Sequence, residues 1–545
     1  MKTKTIIVFV LFLLVAAGSY ADYPRDFVSD KAIAVLSIRD GDSINSLSNT
    51  ISQQAGVNGK ENFLPNYLSL FIENPNAIDF SEEVLLVIEP TIVQDGQRQA
   101  GMFGPMPQLV FICKPKTSQK LKLNKSYLNS SVLYEGWFLA AGGMNAPQPK
   151  TYKKSNILAS LKNNQVSLVI EFSELWKKFG SIAQMMGGVM IGGMNKPGPD
   201  GLISVETKKA ANSARKAFVD LMKTCGDIEL ITADIGIREF KLQANAKVST
   251  KNHSDISVDN TSMQQMASLL ADDMVQYAMS NKMTKILVDY DLSSLQALSG
   301  MDSLPLVFTQ AMKLLSDLSG DNVVSYGLTK KHGLTIAALT EVEDQREYLA
   351  SIPDLVDGFN SELFNNASMA FSPTKKSKDS WDINMMSSNA DDQQVLDAIF
   401  PKGDTLRFRK YGKNRISIAL GPSAWDSLTQ KHASPLSGII KQQKNVEIAL
   451  AVSINAREIT RGFIEVSKVA GEGSELNEIK SSPSAKMSLV VGETKKGYIA
   501  QASLDLLGLA NLYKDIEVAR KSPNPAQANG TSSSGGILRS GRTKK

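Results

Sequence analysis

Few of the groups that usually do chemistry are placed to do it in this 545-residue chain. The three histidines, His253, His332 and His432, stand beside polar residues or lysine in segments that read as loops or turns. A triad or metal site needs its imidazoles held together on rigid elements, and turn-tip rings are solvated instead. Ser213/Lys216 and Ser372/Lys375 match Ser-x-x-Lys, but the Ser-Asp-Asn and Lys-Thr-Gly companions are missing, and no zinc-protease, nucleophile-elbow or P-loop pattern occurs. Asp289 and Asp291 flank Tyr290 at a spacing that puts two carboxylates on one strand face, as paired acid–base work requires. Ile286, Val288 and Tyr290 supply the opposite, core-facing side, so the aspartates read as solvent-facing, with Asp291 capping the next helix. Asp391-Asp392 reads as a helix start. No catalytic, cofactor-binding or metal-binding residue is assigned, and no cofactor is expected.

The most unusual composition is the run from Met185 to Met194, which holds Met185, Met186, Met190 and Met194 among four glycines. Thioethers are soft ligands for Cu(I), yet no His or Cys lies near to complete such a site. Flexible Met with Gly also suits an adaptable apolar surface that meets a partner, and the plainest alternative is a loop covering the body. The contact reading names a mobile, partly exposed segment facing an envelope protein or a lipid surface. Gly101–Pro107 has similar character. Cys113 ends an apolar run and Cys225 precedes a turn; in an oxidising compartment they leave one disulfide open, against the alternative of two buried thiols that never meet.

The elements that would position these residues repeat. Strands at 33–38, 166–170, 286–290 and 446–454 each run toward a capping residue (Asp42, Ser173, Asp291, Asn455), and Asn455-x-x-Glu458 fits a capping box. Hairpins follow: Glu83–Pro90 with Gln108–Cys113, Ile228–Val248 around Gly236, and two that share Thr-Lys-Lys before an alternating strand, at 323–339 and 487–504. Helices and antiparallel strands in blocks make an α+β protein, and the spacing predicts two related halves, each of two strand–helix–hairpin units. Further tight hairpins are expected around Glu135-Gly136 and Gly412–Asn414, and a solvated loop over Thr374–Ser380.

Residues 1–21 have the basic start, apolar core and small-x-small end of a signal peptide, so export to the periplasm or beyond the cell is expected, with no transmembrane segment after cleavage. The first half then spans 22–248, a polar linker 249–262, the second half 263–520, and a disordered basic tail 521–545. Sixty Lys and Arg against 55 Asp and Glu leave +5; the signal peptide carries +2 and the tail +5, so the body is −2. That balance gives no global field for nucleic acid. The sequence reads as an exported bacterial protein, a non-catalytic binding or scaffolding component of the envelope, with a secreted or periplasmic hydrolase of unrecognisable site as the alternative. Oligomeric state is left open.

Overall fold

A computed structural model describes residues 24–56, 63–90, 107–116, 120–142, 156–194, 205–252, 256–284 apart from 272, 318–329, 333–362, 369–387, 389, 405–421, 424, 428, 430, 432, 434–469 and 485–521. The signal peptide expected at 1–21, the strand expected at 286–290 with Asp289 and Asp291, Asp391-Asp392, residues 101–106, His253, His332 and the tail expected beyond 521 lie outside the described residues.

Among the described residues, alternating and continuous apolar runs form eighteen strands in one antiparallel sheet. In chain order they are β1 (Ala34–Ile38), β2 (Val84–Pro90), β3 (Pro107–Cys113), β4 (Ser130–Tyr134), β5 (Trp137–Gly142), β6 (Val166–Ile170), β7 (Ile228–Arg238), β8 (Lys241–Thr250), β9 (Val275–Met279), β10 (Leu318–Thr329), β11 (Gly333–Val342), β12 (Met369–Ser377), β13 (Ser380–Ser387), β14 (Leu406–Tyr411), β15 (Arg415–Leu420), β16 (Glu447–Asn455), β17 (Lys486–Thr494) and β18 (Gly497–Asp505). The described helices are α1 (Gly41–Gln54), α2 (Phe63–Leu68), α3 (Asn156–Ala159), α4 (Phe172–Met194), α5 (Val205–Asp227), α6 (Thr261–Ala267), α7 (Gln345–Ala350), α8 (Ile352–Glu362), α9 (Pro435–Gln442), α10 (Ala456–Val469) and α11 (Leu506–Lys521). The protein is therefore α+β, with strands dominant.

Across the sheet the order is β4, β5, β3, β2, β1, β6, β7, β8, β18, β17, β16, β9, β10, β11, β15, β14, β13, β12. One face of the β1–β8 region packs Ile38, Val84, Phe111, Phe138 and Leu242 beneath α1, α2 and the start of α11. Its other face packs Val35, Leu85, Ile112 and Val169 against Phe27, Ile157 and Leu161. Cover on both faces explains why Val84–Ile88 is a continuous apolar run and not an alternating one. In the β9–β18 region, Ala278, Val323, Leu339, Ala419 and Ala451 pack beneath α6 and α9.

Several local expectations are corrected. Asp40, not Asp42, caps α1, accepting a hydrogen bond from the Ser43 amide at 3.2 Å. Asn455 closes β16, and its Oδ1 is buried with no hydrogen-bond partner among the described residues, so the capping box is not made there. The β7–β8 turn falls at Glu239-Phe240, with φ of 51° and 61°, while Gly236 lies in the ladder opposite Gln243. A two-residue turn of that twist demands two left-handed residues whatever their type, and the register here selects two without glycine's freedom. Thr374–Ser380 is not a loop but the β12–β13 hairpin. The tight hairpins at Glu135-Gly136 and Gly412 form as expected, and the strands on either side of both Lys-Lys pairs are paired antiparallel as expected. At the expected linker, Ser249 and Thr250 complete β8 and Thr261 opens α6. Cys113 and Cys225 are free thiols: Cys113 is buried in the sheet, which pushes its thiol well up, and Cys225 sits half-buried at the end of α5.

Candidate functional site

The Met/Gly segment is helical, which corrects the mobile-loop expectation. Phe172–Met194 runs as one helix, α4, and returns through α5, so β6 and β7 are joined by a helical hairpin. Its base is fixed by contacts that the local sequence makes available. The Trp176 ring stacks on Phe172, with centroids 6.0 Å apart and planes at 16°. A Cβ at Gly180 would come within 3.0 Å of that indole and one at Gly226 within 3.6 Å, so both glycines make room for it. Lys251 Nζ donates to the Gly226 carbonyl at 2.8 Å and Asn252 to Asp227 at 3.1 Å, tying the end of α5 to the two residues that follow β8.

Farther out, Gly187 lies against the ring of Phe218, where any side chain at 187 would overlap it. This contact brings residues 185–189 of α4 alongside 215–219 of α5. At that level the apolar side chains face outward: Met185 is 51% exposed, Met186 61%, Val189 72%, Val219 56% and Leu221 54%. Met190 and Met194 are on the same helix, with side chains outside the described set. Val219 and Leu221 do not stand out by composition as the methionines do. The run Phe218-Val219-Asp220-Leu221-Met222 was the available signal, since at 3.6 residues per turn it spans more than one buried stripe.

The other sequence candidates do not converge. Ser372 and Lys375 are three apart on β12, which aims them at opposite faces; Lys375 lies over the Trp381 ring at 5.7 Å. Ser213 and Lys216 lie on α5, with the Ser213 side chain outside the described set. The His432 amide donates to the Ser268 carbonyl at 2.6 Å. Among the described residues no group of three or more His, Cys, Asp or Glu is placed to hold a metal.

Two polar constellations were not legible. Glu83 is buried and accepts from Arg25 at 3.1 Å, from Arg39 at 3.1 Å and from the Ser37 hydroxyl. Asp321, half-buried in a bulge of β10, is pushed up to about 6, first by burial and then by Glu341 nearby. Glu341 itself pairs with Arg415 at 3.0 Å and accepts from Ser262 at 2.6 Å. A cavity of about 250 Å³ opens elsewhere, between α1 and the β7–β8 turn, lined by Ser43, Ile44, Leu47, Gln165, Ile237, Glu239 and Phe240. Gln165 spends its Oε1 on the Ile237 amide at 2.7 Å.

No family model and no curated protein matches this chain. Crystal forms III and I of the protein TP0453 are similar to it over 46% and 48% of its length and 97% and 99% of theirs, at 8% and 9% identity and TM-scores of 0.21 and 0.22. So loose a likeness carries no argument about this protein.

Proposed function

We propose that the chain is an exported, non-catalytic binding or scaffolding protein of the bacterial envelope, built from two copies of one antiparallel unit and making its contact through the α4–α5 hairpin. The duplication is supported by register. Ala34 of β1 faces Ile88 on one side and Ile170 on the other, and Val275 of β9 likewise faces Tyr326 and Ile454. From these anchors the ladders continue in step. Leu109 meets Gly142 as Ile336 meets Leu420, and Ile231 meets Val248 as Met487 meets Leu504. By this correspondence Val275–Met279, and not 286–290, is the counterpart of β1. Asn245 and Gln501 are counterparts as well, and they pair with each other across β8 and β18. Antiparallel pairing of equivalent strands about one point has the form of a two-fold axis joining two copies.

The observation that carries the binding reading is the outward apolar set on the hairpin, Met185, Met186 and Val189 beside Val219 and Leu221. Several large exposed apolar side chains on one element mark a contact surface more than single scattered ones do. The hydrolase alternative draws on Asp321, a carboxyl raised to about 6, but the described cavity is lined by other residues. A photo-crosslinking residue placed at Met186 or Val219 in the full exported chain, with Leu133 on β4 (64% exposed) as control, tests the contact. Adducts at 186 and 219 and none at 133 are expected; no adduct at either hairpin position in the native envelope overturns the reading.

A further inference from the structure

We propose that the cavity between α1 and the β7–β8 turn binds a small, uncharged and mostly apolar molecule that carries a carbonyl or hydroxyl oxygen. The site lies at the other end of β6 and β7 from the α4–α5 hairpin and is independent of it. Gln165, only 6% exposed, lines the cavity. Its Oε1 accepts from the Ile237 amide at 2.7 Å, which fixes how the side-chain amide is turned and leaves Nε2 as a donor. That nitrogen has no hydrogen-bond partner among the described residues. An unmet buried donor costs about as much as a lost hydrogen bond, so one that borders a cavity calls for an acceptor from outside the chain. Ile44, Leu47, Ile237 and Phe240 make the surrounding walls apolar. An ordered water needs about two to four polar partners, whereas one oriented polar group among apolar walls is the composition of a small-molecule pocket. A volume of about 250 Å³ is just under the usual range for drug-sized ligands, which limits the occupant to about one ring or a short chain.

The charges around the cavity set the ligand's charge. Among the described residues no cation lines it. Arg39 is spent on Glu83 and Asn163, and Arg238 pairs with Lys241 on the sheet face opposite to Ile237 and Leu242. Glu239 is exposed on the lining, and Asp40 accepts from the Ser43 hydroxyl beside it. A carboxylate ligand would leave water without a counter-ion and next to Glu239, so the occupant is neutral. The β9–β18 region shows that the strand frame alone does not dictate this arrangement. The Ser280 amide donates to the Ala449 carbonyl at 3.0 Å as the Arg39 amide does to the Gln165 carbonyl at 2.9 Å, so Ala449 stands in the place of Gln165. By register Glu493 stands in the place of Ile237, and Lys282 pairs with it. One region thus offers a donor beside an apolar wall where the other has a methyl group and an ion pair.

The test is fluorine NMR of the purified exported chain with para-trifluoromethylbenzamide and, separately, with para-trifluoromethylbenzoate. Saturable binding of the amide is expected, with the benzoate at least about tenfold weaker. Gln165→Glu keeps an acceptor for the Ile237 amide but removes the donor, and should weaken the amide about tenfold. Leu47→Trp puts a ring into the cavity from α1 and should abolish binding. Glu239→Gln should leave the amide within about twofold and narrow the gap to the benzoate. Thermal melting of each variant separates a lost site from a lost fold, and if Gln165→Glu does not fold, Leu47→Trp and the benzoate comparison decide. No saturable binding of the amide by the wild-type chain would mean that the cavity holds only water and would overturn the proposal. Amide binding that survives Leu47→Trp, or that a folded Gln165→Glu leaves unchanged, would place the probe elsewhere and overturn it too. Equal binding of the benzoate would overturn the assignment of a neutral ligand.

Discussion

Glu83 and Asp321 stand at corresponding places in the β1–β8 and β9–β18 regions. Each comes one residue before a ladder pair, Val84 with Ile38 in one case and Asn322 with Met279 in the other. Around Glu83 two guanidinium groups and a serine hydroxyl converge, and the carboxylate is buried. Around Asp321 the charge that acts on it most is another carboxylate, Glu341, whose own cation, Arg415, is already engaged. The counterpart of Glu341 in the ladder is Lys114, which pairs with Glu82 at 2.6 Å. One backbone frame thus tolerates opposite electrostatics at one place. Strand pairing is set by the backbone and by apolar faces, whereas the charge balance is set by which long side chains arrive from outside the ladder.

The largest effect should come from breaking the paired case. Glu83→Gln leaves the partly buried Arg25 and Arg39 against a neutral amide, and loss of one partner from a buried ion network costs about 3–5 kcal/mol. Urea unfolding should show a lower midpoint with unchanged slope; a shift under about 1 kcal/mol would mean water already screens the cluster.

The crossovers extend the comparison. In one region Gly187 lets α4 pack on α5, and in the other Gly462 lets α10 approach β10, where a Cβ would come within 2.9 Å of the Leu328 carbonyl oxygen. Gly187→Val and Gly462→Val should each cost about 1–3 kcal/mol by overpacking. Hydrogen exchange should locate the first loss in 172–227 and the second around α10 and β10. Gly188, with open space around it, is the control: Gly188→Ala should be neutral or stabilising by about 0.5–1 kcal/mol.

The unpaired carboxylate should behave with the opposite sign to Glu83. A raised carboxyl pKa means that the folded chain holds the proton more tightly than the unfolded one. Its contribution is full below the unfolded value near 4 and is lost as pH rises through about 6. Asp321→Asn should therefore stabilise the protein at neutral pH by about 1–2 kcal/mol, after allowance for partial exposure, and flatten the fall in stability between about pH 4 and 6. A loss of stability at neutral pH would show that the ionised form is held by bonds such as those from the Asn281 and Met263 amides.

The smallest effect is expected on the hairpin surface. Met185→Ser and Met186→Ser remove exposed side chains and should change stability by less than about 0.5 kcal/mol. A larger loss would show that these methionines pack in solution, which would weaken the contact reading.

Alternating runs around Thr-Lys-Lys, with a glycine soon after, were enough to reveal two hairpins, because period-two patterning and a turn glycine are local properties. The same locality explains what went astray. A left-handed turn at Glu239-Phe240 without glycine, a cap at Asp40 instead of Asp42, and a helix through Gly187, Gly188, Gly192 and Gly193 all run against intrinsic preference, and the surrounding ladders and packing override it. The hairpin methionines stood out by composition, whereas Val219 and Leu221 needed the second helix to be placed beside them. The chain by itself determined its class, most of its strands and its tight turns, since these follow from residue type within a few positions. Tertiary structure alone decided that β8 meets β18, that Arg25 and Arg39 reach Glu83, and that Glu341 sits beside Asp321. Such contacts join residues far apart in sequence, and no local preference encodes them.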